Sequence, residues 1–183
     1  RILESKNVSG QLFISMTHQK VLQALRQADY LSPKYHVVIA NPPYMSQKGM
    51  NQALKSFSGR EYKISKSDLF SIFIERATEL AVDHGLAAMV TIQNWMFLSS
   101  FENLRNDFLA KHSITSLVQI GFNSFPELNS KIALACAFVA KTFDRDVIGN
   151  FVDLDDAPKA ADKENVFFDK LRHGEIYLAS GVD

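Results

Sequence analysis

Apolar positions along the 183-residue chain change their period several times, and each change predicts an element. Across residues 11–31, Leu12, Phe13, Met16, Val21, Leu22, Leu25 and Ala28 recur at helical spacing. Ser32-Pro33 stops that helix, since the residue before a proline is pushed out of the helical region. Tyr35-His36-Val37-Val38-Ile39-Ala40 is then an apolar, β-branched run of buried-strand type. Residues 45–67 carry no regular period. Ser67 reads as an N-cap and Asp68 suits the positive end of a helix whose apolar face is Leu69, Phe70, Phe73, Ala77, Leu80 and Ala81, closed by His84-Gly85.

The alternation continues with a strand over 86–92, a helix over 101–111 and a strand over 114–120. A loop, Gly121-Phe122-Asn123-Ser124-Phe125-Pro126, leads to a further strand over 131–141. This order predicts an α/β fold with a mostly parallel sheet and a terminal antiparallel hairpin. Beyond Phe143 the composition shifts: residues 144–183 hold ten acidic and five basic side chains, with a short amphipathic helix over 157–171. The chain therefore divides into 1–143 and an acidic extension of hairpin or helix over 144–183.

The strand over 35–40 stops abruptly at Asn41-Pro42-Pro43-Tyr44. In an open α/β sheet ligands sit outside the carboxyl ends of the strands, so this Asn should face a crevice. An exocyclic amine on a heteroaromatic ring is a poor nucleophile because its lone pair is delocalised. An Asn side-chain oxygen and a main-chain carbonyl can accept both amine hydrogens and draw the nitrogen towards tetrahedral geometry. Consecutive prolines fix φ and hold that carbonyl rigidly. Tyr44 offers a flat face on which a planar base can stack. The blander alternative is a strand-ending turn with a packed Tyr.

Composition narrows the field. Hydrophobic residues make up 46% and charged residues 22%, with no net charge, so any nucleic-acid surface must be local. Residues 45–67 supply one: Lys48, Lys55, Arg60, Lys63 and Lys66 stand against Glu61 alone, suiting phosphate contacts or a solvated loop equally. Cys136 is the single cysteine, so no intrachain disulfide is possible, which fits a reducing cytoplasm. No apolar run reaches membrane-spanning length. His18, His36, His84, His112 and His173 lack metal-ligand spacing, so no metal site is expected.

Asn41-Pro42-Pro43-Tyr44, Ser67-Asp68-Leu69-Phe70-Ser71-Ile72-Phe73, Trp95 and Phe125-Pro126 occur in an order that resembles the gamma-class amino-methyltransferases. These are adenine-specific DNA enzymes that use S-adenosylmethionine. The likeness extends through Tyr35 to Met45, Lys66 to Phe70 and Gln93 to Ser100 to the methyltransferases of BREX phage-defence systems. It implies a Rossmann-like methyltransferase sheet acting on double-stranded DNA in restriction-modification or BREX defence. Asn41 and the Pro42 carbonyl would hold the amine of a flipped adenine. Tyr44 and Phe125 would enclose the base. From place alone, Trp95, just past the strand over 86–92, should line the same crevice as a substrate contact, and Lys48 of the basic stretch is another. Pro43 and Phe73 would meet the cofactor.

The family's glycine-rich cofactor loop lies ahead of the tetrapeptide, and only forty residues precede it here. Together with the start at Arg1, this implies the carboxyl half of a catalytic domain, inactive alone and lacking a target recognition domain. The missing strands would leave a sheet edge along residues 35–40 open to self-association or to a partner. Protein-glutamine and ribosomal-RNA guanine methyltransferases carry similar tetrapeptides. Those acceptors, and a non-catalytic recognition or assembly module, remain alternatives.

Overall fold

A computed structural model describes residues 12–122, 124, 134–144, 147–158 and 161–180. The chain divides into two compact units, residues 1–34 and residues 35–183. In the first, α1 (Leu12–Leu31) follows the predicted helical period and Ser32 N–H still closes on the Ala28 carbonyl before Pro33 ends it.

The second unit is built on a six-stranded sheet in the order β1-β2-β4-β3-β5-β6. Its strands are β1 (Tyr35–Ala40), β2 (Ala81–Ile92), β3 (Ser113–Gly121), β4 (Ala135–Lys141), β5 (Ile148–Asp153) and β6 (Tyr177–Ser180). β1 and β2 are parallel, β4 runs antiparallel to both β2 and β3, β5 is parallel to β3, and β6 is antiparallel to β5. β1, β2, β3 and β5 thus share one direction and put their carboxyl ends on one rim. The antiparallel hairpin is present, but β4 inserts between β2 and β3 instead of ending the sheet. Its centre suits that place, since Ala135, Cys136 and Ala140 are small enough to be fully buried.

β2 starts five residues earlier than its apolar run suggests. The pairing steps from Tyr35↔Ala81 to Val37↔Leu86, a bulge with His84 at φ 61°. Gly85 occupies the bend because a side chain there would meet the Val82 carbonyl oxygen at 2.9 Å. α3 (Leu69–Leu80) therefore ends before His84-Gly85.

α3 packs on β1 and β2. It buries Phe70 and Ile74 against Ala87, Met89 and Phe138, and α4 (Glu102–Lys111) adds Leu104 and Phe108 to the same cluster. Alternate residues point to the opposite face, where Ile39, Ala88, Val90, Val118 and Val139 line an apolar depression of ≈ 330 Å³. Two further helices lie in less regular stretches: α2 (Gln52–Glu61), capped by Asn51, and α5 (Lys163–His173), capped by Asp162. Among the described residues no helix is long and apolar enough to cross a membrane.

Candidate active site

Asn41 leaves the carboxyl end of β1 exposed, while Pro42 turns back into the protein and is buried. Pro43 is exposed again and Tyr44 is half-buried. The Tyr44 hydroxyl lies 3.3 Å from Asn41 Oδ1 and 3.4 Å from the Val90 carbonyl oxygen. Donation to Asn41 leaves that oxygen a second lone pair, and the ring is braced edge-on by Phe70 at 6.5 Å. Burial, with the nearby Cys136 sulfur behind it, holds the phenol above its ordinary range, so the hydroxyl stays a neutral donor at working pH.

Asp68 secures the other side of this turn. It is the N-cap of α3, one residue later than the predicted Ser67, and its Oδ1 accepts both the Met45 amide at 3.0 Å and the Phe70 amide at 3.3 Å. One carboxylate thereby fixes the residue after Tyr44 to the start of the helix that braces the Tyr44 ring. Burial raises the Asp68 carboxyl above its usual value, while the backbone donors pull it back.

The two residues expected to meet a cofactor are both exposed. Phe73 shows 41% of its surface beside fully buried Phe70 and Ile74 on the same helix. Phe73 and Pro43 each leave apolar ring surface exposed. Lys48 is exposed in the stretch between Tyr44 and α3. Phe125 lies outside the described residues.

Trp95 is a correction. Expected to line the crevice, it is 2% exposed and packs against Phe108 and Phe138, with its indole N–H donating to Thr91 Oγ1 at 3.1 Å. The short 3-10 turn Gln93–Met96 rotates the indole under α4 instead of over the rim. Cys136 is equally internal, its sulfur 3.4 Å from the same threonine oxygen. Among the described residues no group of three or more His, Cys, Asp or Glu could hold a metal ion.

A second polar cluster at the same rim has no local sequence signature. Asp155, just past β5, accepts the Phe122 amide at 3.2 Å and stands 3.4 Å from Gln93 Nε2 and 3.5 Å from Gln119 Nε2. Gly121, at φ 70°, makes room for it, since a Cβ there would fall 2.0 Å from the carboxylate. The ends of β2, β3 and β5 are tied through this one side chain. Only the spacing of the three strands in the sheet brings these residues together.

Comparison with known proteins sets this geometry in a family. A family model described as "Eco57I restriction-modification methylase" matches residues 6–125. Adenine-specific methyltransferase BrxX of Escherichia coli O9:H4 (strain HS) is 36% identical over 134 residues, 73% of this chain and 11% of that protein. Adenine-specific methyltransferase PglX of Lacticaseibacillus casei (strain Zhang) is 33% identical over 178 residues, 94% of this chain and 15% of that protein. The chain thus spans under one sixth of the length of either relative. A solved structure of the type I restriction-modification system methyltransferase subunit from Streptococcus thermophilus superposes with a TM-score of 0.56 at 15% identity. That match covers 81% of this chain and 35% of the other. It shows a shared α/β methyltransferase fold. With the family model spanning the tetrapeptide strand, α3 and β3, the chain belongs to the Eco57I restriction-modification methylase family.

Proposed function

We propose that this chain carries the base-binding side of an adenine-specific DNA methyltransferase, which moves a methyl group from S-adenosylmethionine to the N6 amine of an adenine swung out of a duplex. The observation that carries the reading is Asn41: it is exposed at the carboxyl end of β1, with its side-chain oxygen oriented by the Tyr44 hydroxyl. The free lone pair of that oxygen and the Pro42 carbonyl accept the two amine hydrogens and concentrate electron density on nitrogen. Neither group has to remove a proton first, because the methylated ammonium is acidic enough to release one afterwards.

Inside a duplex the amine is paired, so the adenine must leave the stack, at a cost of a few kcal/mol. Tyr44 repays part of that by stacking on one face, with Phe125 closing the other. Phe73 and Pro43 would hold the adenine ring of S-adenosylmethionine, which when bound supplies an electrophilic methyl group on sulfur. Those two residues offer nothing polar to its amino-acid end. On this reading, the missing contacts come from the part of the catalytic domain that precedes this segment.

The open edge supports the same view. Along β1, which among the described residues pairs with β2 alone, Val37 is 51% and Ile39 78% exposed. We take that edge as the surface completed by the rest of the domain, or by a second copy when the segment stands alone.

The test is nucleoside mass spectrometry after incubating the full-length protein carrying this chain with S-adenosylmethionine and unmethylated DNA, ribosomal RNA or peptide. N6-methyladenine in DNA alone is expected. Methylglutamine in peptide or methylguanine in RNA, with unmodified DNA, would move the chain to one of the other acceptor classes.

A further inference from the structure

Between Tyr44 and α3 the chain makes a closed excursion. Its ends are zipped by an antiparallel bridge between Ser46 and Asp68, by the Gln47 amide on the Ser67 carbonyl (3.1 Å) and by the Leu69 amide on the Met45 carbonyl (2.9 Å). Its inner side is planted on α3. Met50, Ser58 and Ser65 are buried, the Ser71 hydroxyl donates to the Ser65 carbonyl, and the Ser65 hydroxyl donates to the Glu75 carboxylate. Such a segment is a platform with fixed ends, not a free loop.

The cations on its outer side are unusual for this chain. Arg60 is neutralised by Glu61, and Lys48, Lys55, Lys63 and Lys66 have no acidic or carbonyl partner among the described residues. Every other Lys and Arg among the described residues from 35 onward is engaged, as Lys111 is by Asp107 and Arg105 by the carbonyls of Trp95 and Leu98. Lys48, Lys63 and Lys66 are exposed and Lys55 is half-exposed. Four like charges held on a rigid base raise the local potential, and a polyanion relieves it.

We propose that residues 46–67 form a phosphate-holding platform that grips the DNA backbone beside the extruded base. The proposal rests on the DNA reading above and extends it from the base to the backbone. The platform begins two residues after Tyr44, and its two ends are tied together where α3, whose Phe70 braces the Tyr44 ring, begins. Lysine is a point charge on a flexible stem, without the planar fork that reads a guanine edge, so the platform positions the duplex and does not select its sequence.

The experiment measures binding of the full-length protein to a duplex of arbitrary sequence by fluorescence anisotropy across a salt series. Each phosphate contact contributes a slope of about 0.9 to log K against log salt. Replacing all four lysines by glutamine should therefore flatten the slope by about 3.6, and Lys63→Gln or Lys66→Gln alone by about 0.9. Lys111→Gln with Lys141→Gln, which removes two ion-paired lysines, should leave the slope unchanged. An unaltered slope in the fourfold variant, or an equal loss per charge in the control pair, overturns the platform. If the fourfold variant loses its thermal transition, the single variants decide the matter. The anisotropy series is run without S-adenosylmethionine, so binding is read apart from turnover. A lysine-dependent slope without any N6-methyladenine product therefore sinks the catalytic reading alone, and methylation with an unchanged slope sinks the platform alone.

Discussion

On the proposed reading Asn41, a short side chain, must present one oxygen in one direction, and two other residues are placed to arrange this. The Tyr44 hydroxyl bonds the oxygen from one side, and Asp68 anchors the chain immediately after Tyr44. The carboxylate of Asp68 is used as an acceptor rather than as a charge, since both its donors are main-chain amides. Asp68→Asn keeps an acceptor oxygen and should leave the melting temperature nearly unchanged. Asp68→Ala should cost about 1–2 kcal/mol, as loss of a helix cap does, and should lower methyl transfer by loosening the turn. Equal melting temperatures for the two variants would show that the amide bonds contribute nothing. The place of Asn41 and the two prolines, directly past the end of β1, was legible from residue type and order alone. Trp95 was misread because its position past a strand end suggested the crevice, whereas the direction of an indole depends on a single turn of 3-10 helix. The Asp155 cluster was not legible at all, because Phe122 and Asp155 are neighbours only through sheet pairing.

Elements with a strong apolar period were placed well from sequence, as α1, β1, α3 and β3 show. Those lacking one were missed. α2 is polar along most of its length and carries Gly59 in its interior, so only its Asn51 cap marks it. β5 and β6 are short and half-exposed, and their pairing with β3 and with each other is what defines them. The junction of α4 with β3 carries a titration of its own. His112 is 4% exposed and its Nδ1 accepts the Phe143 amide at 3.1 Å, an arrangement that needs the neutral ring. Burial, then the neighbouring Lys111 charge, lower its pKa to about 4, with Asp107 opposing. An unfolded chain takes up this proton near pH 6.5 and the folded one only near pH 4, so stability falls as pH drops through that window. The loss should reach about 3 kcal/mol. Asp68 and Glu75, raised by burial, act in the opposite sense. The measurement is therefore the difference between wild type and His112→Phe in urea unfolding from pH 7 to 4. A parallel pH dependence of the two proteins would show that His112 does not titrate this way.

Among the described residues of the 35–183 unit, helices pack on one face of the sheet and an apolar depression lies on the other. α3 and α4 cover the side that holds Phe70, Phe138 and Trp95, while Ile39, Ala88 and Val90 line an uncovered depression and β1 ends the strand order. Among the described residues, β1 is thus an edge strand, at the place where the open edge was expected. An apolar edge of this kind invites strand pairing. In sedimentation velocity at tens of micromolar the 183-residue chain should run heavier than a monomer, and Ile39→Lys should restore the monomer. A clean monomer for the unaltered chain would mean that the edge is tolerated as it stands. The account as a whole turns on whether Asn41 acts on the amine. In single-turnover methyl transfer by the full-length protein, with base extrusion followed on a 2-aminopurine duplex, Asn41→Ala should slow transfer by about a hundredfold or more. Extrusion and melting temperature should stay unchanged. Transfer within a few-fold of wild type would contradict the account, because the amine would then be activated without the oxygen that β1 delivers.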